Sequence, residues 1–138
     1  AYTIDESLKT ETLRSTDLGV AYLVYIDGRV LYHAGDLNCW VWNGTPKEDN
    51  DIMTIQYITE IGRLSDKNIY AAFVPLDPRQ EEYYDRGMNY FLAVSNPEHV
   101  FPMHMWEQYG VIKQYKDSHP NYAGIIRDVD HAGETFDI

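Results

Sequence analysis

Residues 20–36 of the chain read VAYLVYIDGRVLYHAGD, and this stretch predicts how the fold begins. Residues 20–26 and 29–32 are apolar runs rich in β-branched and aromatic side chains, and Asp27-Gly28 separates them. An Asp-Gly pair between two such runs is typical of a β-hairpin, because its tight turn requires positive φ angles. The second strand ends at the turn pair Gly35-Asp36. We therefore expect the Asp36 carboxylate at the edge of a sheet.

Downstream of this hairpin the pattern changes to that of a helix. A capping box at Thr45 and a proline at the first helical position predict a helix over residues 46–64. Its apolar positions, which we expect to face inward, recur at helical spacing: Ile52, Ile55, Ile58, Ile61 and Leu64. Residues 69–74 then form an apolar run typical of a strand buried on both faces.

The alternation of helix and strand continues to the C-terminus. Asp77-Pro78-Arg79 repeats the cap-plus-proline pattern and begins a second helix, whose predicted inward side chains are Tyr84, Met88, Phe91 and Leu92. Residues 100–103 predict another short buried strand, and residues 105–116 a third helix. Residues 125–129 and 135–138, around a turn containing Gly133, predict a closing hairpin. Helices alternating with buried strands indicate an α/β protein.

Length and composition limit the classes of function. The 138 residues predict a single domain, 1–138, with enough apolar residues for a core. The net charge of −11 argues against a nucleic-acid or anionic-membrane partner. No apolar run approaches the roughly 20 residues of a membrane span, and no charged-then-apolar leader opens the chain. Because the first residue is alanine and not methionine, we expect either a chain that begins within a longer protein or a processed start.

Cys39 is the single cysteine, so no intramolecular disulfide can form. This fits a reducing compartment and predicts a cytoplasmic protein. Two interpretations of Cys39 stay open, a packed small apolar side chain or a nucleophile. The first is favoured because no activating group adjoins it in the sequence.

Three polar residues fall at predicted strand ends, where α/β proteins gather functional groups. Asp36, Asp77 and His104 would place two carboxylates and an imidazole in one cleft if these ends converge. Oxygen and nitrogen ligands of this kind suit zinc, manganese or iron. Each residue also has a structural interpretation: Asp36 as a turn residue, Asp77 as a helix cap, and His104 as a hydrogen-bonded histidine at a helix start.

The ordered segments STDLGVAYLVYIDGRVLYHAGDLN, AAFVPLDPR and VFPMH resemble the C-terminal half of metallo-β-lactamase-fold hydrolases. The resemblance implies an αββα sandwich of two β-sheets flanked by helices, with one or two metals, usually zinc, at the sheet edge. It implies that Asp36 is the metal-bridging carboxylate and His104 the last histidine ligand. The substrate would be a small molecule with an ester, amide, lactone or phosphoester bond.

The resemblance also suggests roles for residues around the ligands. Arg79, beside Asp77, would clamp an anionic substrate group. His33 would hold a ligand or substrate through a ring N–H, or would be an ordinary exposed strand residue. Trp40 and Trp42, shortly after the Gly-Asp turn, would wall the pocket or serve in packing.

The chain departs from this family in two ways. The ligand motif His-x-His-x-Asp-His is absent, and the position of the middle histidine, near Ser15-Thr16-Asp17, holds no histidine. The remaining histidines do not rebuild the motif, because none has a histidine two residues away: His33, His99, His119 and His131. A catalytic zinc commonly has three protein ligands, so this chain alone should bind metal weakly or not at all and be inactive.

Two hypotheses follow. The chain is the C-terminal part of a metal-dependent hydrolase whose other half is missing here, or it is a non-catalytic binding or assembly module that keeps the fold. Under either hypothesis, half of a two-sheet fold leaves an apolar sheet face and open strand edges uncovered. We therefore expect the chain to associate with itself or with a missing N-terminal half.

Overall fold

Six strands form one mixed sheet in the computed structural model, which describes residues 2–5 and 8–138. In chain order and in sheet order they are β1 (Tyr2–Asp5), β2 (Leu8–Arg14), β3 (Val20–Ile26), β4 (Arg29–His33), β5 (Ile69–Pro75) and β6 (His99–Met103). Strands β1 to β4 run antiparallel to their neighbours, whereas β4, β5 and β6 are parallel.

Within the described residues three α-helices accompany the sheet: α1 (Lys47–Ile61), α2 (Arg86–Val94) and α3 (Gly110–Ser118). A 3-10 turn, Gly62–Leu64, extends α1, and another, Pro78–Tyr83, precedes α2. Each parallel connection passes through a helix, as parallel strands require. The predicted α/β class is confirmed, and the second sheet of an αββα sandwich remains a prediction.

The predicted hairpin is confirmed as β3 and β4. Ile26 pairs with Arg29, and the two turn residues between them, Asp27 and Gly28, have φ angles of 50° and 75°. Both values are those of the turn that matches the twist of paired strands. This register places Leu23 opposite Tyr32, so one face of the hairpin carries both buried side chains.

One face of the sheet is covered by helices. The ring of Tyr32 on β4 stacks on that of Phe91 in α2, with centroids 5.3 Å apart. The hydroxyl of Tyr57 in α1 donates a 2.9 Å hydrogen bond to the carbonyl of Gly87 in α2. The hydroxyl of Tyr115 in α3 donates to Asn89 Oδ1 at 2.8 Å. These contacts fasten the three helices to one another over the buried face.

The opposite face, which we call the open face, is only partly covered. Because side chains alternate along a strand, residues next to buried Ala21 and Leu23 point away from the helices. Val20, Tyr22 and Ile26 are exposed there. Near β6 a row of ring contacts crosses the same face, stacked from His33 to Phe101 and edge-to-face where it ends on the C-terminal segment: His33, Phe73, Phe101 and Phe136.

Helix α1 lies where it was predicted, but the side of the helix that faces the core is not the predicted one. Ile52, Ile55 and Ile58 are exposed, Ile55 at 65%, whereas Ile61 and Leu64 are buried. An α-helix turns once per 3.6 residues, so each three-residue step rotates the side chain by about 60°. Over nine residues the isoleucine stripe crosses to the other side of the helix. The predicted capping box is also wrong, since the N-cap is Pro46 and has no side-chain hydrogen bond.

The segment after β6 also differs from the prediction. Helix α3 begins at Gly110 and not at residue 105, because His104, Trp106 and Glu107 have φ angles between 51° and 62°. Such angles cannot continue a right-handed helix. The second helix was predicted to begin at Asp77-Pro78, but α2 begins at Arg86, because Glu81 has φ 53° and interrupts the backbone before it. The predicted inward side chains are nevertheless all buried: Tyr84, Met88, Phe91 and Leu92.

The predicted closing hairpin is wrong. Residues 125–127 bond to β6 instead: Val100 N–H donates to the carbonyl of Ile125 at 2.9 Å, and Arg127 N–H donates to that of Val100 at 2.8 Å. Ile126 thereby forms an isolated parallel bridge with Val100. The open edge of β6 satisfies these backbone groups, so residues 135–138 are not needed as a partner strand.

Candidate functional site

Three strand ends meet at one edge of the sheet. The loops after β4, β5 and β6 carry Asp36, Asp77 and His104, and backbone hydrogen bonds from Ala34 and Leu76 extend the strand pairing into those loops. His104 Nε2 lies 3.1 Å from Asp36 Oδ1, and Nδ1 on the other side of the ring lies 3.9 Å from Asp77 Oδ2. The convergence expected from the sequence is therefore present.

The turn that presents Asp36 needs a glycine. Gly35 has φ +54°, and a Cβ there would lie 2.9 Å from the carbonyl oxygen of Val20. His33 holds this turn, because its Nδ1 accepts a 3.0 Å hydrogen bond from Gly35 N–H. Partial burial, with a contribution from His104, lowers the pKa of His33. His33 is an exposed strand residue that acts on the turn backbone, and its Nδ1 is not available to a ligand.

Asp77 is the buried carboxylate of the site. It is 0% exposed and accepts hydrogen bonds from the backbone N–H and side chain of Arg79 and from the indole N–H of Trp106. Burial by itself would raise the pKa of Asp77, but the Arg79 hydrogen bonds and charge, with Trp106, outweigh it and hold the pKa below its usual value. Asp77 is thus both the predicted cap and an anchor for two neighbouring side chains.

Arg79 is committed to this anchor. Its Nε and Nη2 both donate to the Asp77 carboxylate, and its Cζ lies 4.2 Å from the ring centre of Trp106. The bidentate fork that would grip an anionic substrate is occupied by Asp77. The predicted anion clamp has only the remaining guanidinium N–H groups to work with.

The loop that presents His104 is strained. His104, Trp106 and Glu107 all adopt left-handed backbone angles, each of which costs about 1 kcal/mol or more in a residue other than glycine. Trp106 is fixed by its hydrogen bond to Asp77 and by the stacked Arg79. These contacts explain how the strained loop keeps the His104 ring facing Asp36.

A buried amide bridge ties the loops together. Asn38 Nδ2 donates to Gln80 Oε1 at 2.9 Å, and Gln80 Nε2 donates to the carbonyls of Cys39 and Val41. The Thr16 hydroxyl donates to the carbonyl of Asn38 at 2.6 Å and accepts from its N–H. The bridge thus joins the loops after β2, β4 and β5. The bridge was not expected from the sequence, because a polar residue near a turn carries no local signal that it is buried.

The site opens into a pocket of about 520 Å³. Trp40, Trp42 and Trp106 wall it, and the first two rings are nearly parallel with centroids 5.9 Å apart. The indole N–H of Trp40 donates to the carbonyl of Asp36 at 2.8 Å. Thr16 and Asp17, at the position of the expected middle ligand, also line this pocket.

Cys39 is fully buried beside the pocket, and burial raises the pKa of its thiol. Its Sγ lies 3.6 Å from the Thr54 hydroxyl. A buried thiol with a raised pKa is a poor nucleophile. The interpretation of Cys39 as a packed side chain is therefore the right one.

Asp36 and His104 fit one side of a metal site. Two ligand atoms of a tetrahedral zinc, each about 2.1 Å from the ion, lie about 3.4 Å apart, close to the observed 3.1 Å. A different group has three ligand atoms within 4.8 Å of one another, the only such group in residues 2–5 and 8–138: Asp130, His131 and Glu134. It lies in the C-terminal segment and was not expected from the sequence.

Comparison with known proteins adds no family. No protein-family model matches the chain, and no curated protein matches it. No helix within the described residues combines the length and the apolar character needed to cross a membrane. The function is therefore inferred from the residues of the site.

Proposed function

We propose that the chain is the C-terminal part of a metal-dependent hydrolase with the metallo-β-lactamase fold, and that Asp36 and His104 bind its metal. The observation that carries the proposal is the 3.1 Å approach of His104 Nε2 to Asp36 Oδ1 at the joined ends of three strands. Zinc is the expected metal, and manganese or iron suits the same ligands. A small molecule entering the tryptophan-walled pocket would reach both ligands.

Asp77 supports this arrangement from behind His104. A histidine that binds metal through Nε2 must carry its proton on Nδ1, and a carboxylate near Nδ1 favours that tautomer. Asp77 Oδ2 lies 3.9 Å from Nδ1, on the side of the ring away from Asp36. Asp77 is therefore a positioning residue, and Arg79 and Trp106 keep its carboxylate in place.

The chemistry follows from the parts present. A metal at Asp36 and His104 would lower the pKa of a water molecule to about 7 and polarise the bond to be cleaved. The chain's own residues orient the two ligands and surround them with indole rings. Two ligands fall short of the usual three, so the others would come from an N-terminal half carrying His-x-His-x-Asp-His, packed on the open face.

One observation favours the alternative, a non-catalytic module. Thr16, at the position of the middle ligand, is engaged by Asn38, and no third ligand atom within the described residues joins the Asp36–His104 pair at metal-binding distance. A chain that had lost its metal could keep the same strands and pocket. Metal binding separates the two functions.

The test is a calorimetric titration of zinc into the metal-stripped chain and its variants. We expect weak binding of one zinc ion that Asp36→Ala and His104→Ala each reduce at least about tenfold, as loss of a ligand should. Asp66→Ala, an exposed carboxylate outside the pocket, is the control. His131→Ala removes the histidine of the second possible ligand group, Asp130, His131 and Glu134, and so tests whether zinc binds there instead.

The outcomes are distinct. If zinc binding survives both Asp36→Ala and His104→Ala but is lost in His131→Ala, the Asp36–His104 assignment is wrong. If the wild type binds no zinc and intact-mass spectrometry finds no second polypeptide with it, the module is the better description.

A further inference from the structure

All three tryptophans of the chain line the same pocket. Trp40 and Trp42 come from the loop after β4, and Trp106 comes from the loop after β6, where it is 59% exposed. Two separate loops thus place large aromatic rings around Asp36 and His104. Aromatic faces attract flat groups and cations, because their π-electrons present negative charge.

The charges that line the pocket are mainly negative. Asp17, Asp36 and Asp49 line it, and the first and last are exposed and have no ion-pair partner among the described residues. The imidazole of His104 lies against Asp36, and Arg79, the one guanidinium or ammonium group in the lining of the described pocket, is paired with Asp77. Since that pair carries no net charge, the lining stays negative, and one bound divalent ion would not reverse its sign.

Arg79 shows how these rings hold a cation. Its Cζ lies 4.2 Å from the ring centre of Trp106 and 5.9 Å from that of Trp42. Both distances lie within the range of a cation–π interaction. The exposed surface of Trp106, together with the carboxylates of Asp17 and Asp49, is left for a ligand.

We propose that the pocket selects substrates that carry an amidinium, guanidinium or ammonium group and disfavours anionic ones. The inference rests on the proposed function, since it names the substrate class of the same pocket. It replaces the expectation that Arg79 clamps an anionic group. The indole rings would stack on the cationic group while Asp17 and Asp49 neutralise it.

The experiment compares three probes of nearly the same size and shape: benzamidinium, benzamide and benzoate. Each is titrated into the chain in the presence of a chelator, so that no metal contributes. Binding is read from tryptophan fluorescence and from the three indole N–H signals in NMR. We expect benzamidinium to bind about fivefold more tightly than benzamide, with benzoate the weakest, and added salt to reduce this preference.

Two matched variants locate the charge. Asp49→Asn should weaken binding of benzamidinium and leave benzamide unchanged. Asp51→Asn is the control, because Asp51 lies on the same helix but pairs with Lys47 and does not line the pocket. Both positions are exposed, so neither substitution should affect folding.

Equal affinity for the three probes, tightest binding of benzoate, or no shift of any indole signal would overturn the proposal. So would an equal loss in Asp49→Asn and Asp51→Asn, since the preference would then reflect the overall charge of −11 and not the pocket. Because the titration contains no metal, its result is independent of the zinc measurement. Failure of one does not imply failure of the other.

Discussion

The two faces of the sheet are built from the same strands but have different surroundings. Tyr32 on β4 is 1% exposed beneath Phe91, whereas Tyr22 on the neighbouring strand β3 points to the other side and is 46% exposed. The helix-covered face is completed by the chain's own residues. The open face leaves aromatic and aliphatic side chains exposed. The same strands therefore have one face that the helices pack and one that is largely uncovered.

The largest expected effect separates these two tyrosines. Tyr32→Ala should lower the free energy of unfolding by about 3–5 kcal/mol, because it removes a buried ring and leaves a cavity against Phe91. Tyr22→Ala should change it by less than about 1 kcal/mol. Urea unfolding followed by circular dichroism measures both. Similar losses for the two variants would mean that the open face is packed in solution.

Gly87 tests how tightly the covered face is filled. A Cβ at this position would lie 1.7 Å from Asn38 Oδ1, so Gly87→Ala should cost about 1–3 kcal/mol of unfolding free energy. Gly110→Ala, also at the start of a helix but with open space around it, is the control and should not destabilise. The same urea experiment applies. Unchanged stability of Gly87→Ala would contradict the described packing of Asn38.

Acid unfolding tests the contribution of the buried Asp77 carboxylate, which lies at the strand ends that form the candidate site. The pKa of Asp77 is lower in the folded protein than its ordinary value of 3.8, so its ionised form stabilises the fold above that pH. This contribution is lost as the pH falls through the lowered folded-state pKa. Asp77→Asn should therefore be less stable than the wild type at neutral pH, and the difference should narrow below pH 3.8.

Urea unfolding at several pH values measures this difference. Asp66→Asn is the control, because its carboxylate is exposed and lies away from the site. Parallel stability curves for the wild type and Asp77→Asn would show that Asp77 is not held by Arg79 and Trp106 as described.

A substitution on the open face should have the smallest effect on the free energy of unfolding. It should nevertheless have a clear effect on self-association. Tyr22→Glu should weaken self-association of the chain at least about tenfold while changing the unfolding free energy little, because it adds charge to an exposed apolar surface. Leu18→Glu is the control, because it adds the same charge at a more exposed position that lies just before β3 and not within it. Sedimentation velocity measures the association. A wild type that stays monomeric at high concentration would contradict the prediction.

The elements that local chemistry determines were predictable. The Asp27-Gly28 turn, the buried side chains of the second helix and the buried strand β5 follow from turn residues and apolar runs. The start of the second helix did not, because the Asp77 cap begins a 3-10 turn instead. The isoleucine stripe of α1 misled because regular three-residue spacing gives helical content without fixing which side faces inward. The closing hairpin failed because pairing with a distant strand edge is a tertiary choice that no local pattern contains.

The central residues of the candidate site were predictable, and the side chains that hold them in place were not. Strand ends located Asp36, Asp77 and His104, and the structure brings them together. Trp106 was missed because its position depends on a run of left-handed residues that the sequence reads as helix. Asp49 was missed because a solvent-exposed acidic residue at a helix start is common and carries no signal of a pocket.

The buried bridge between Asn38 and Gln80 also has a consequence for motion. Because it joins the loops after β4 and β5, and Thr16 adds the loop after β2, none of these loops can open without breaking hydrogen bonds of the others. The three loops should therefore exchange between closed and open forms as one unit. In relaxation-dispersion NMR, amides of residues 16, 38 and 80 would then report one common rate, and that rate would set how fast a ligand can enter.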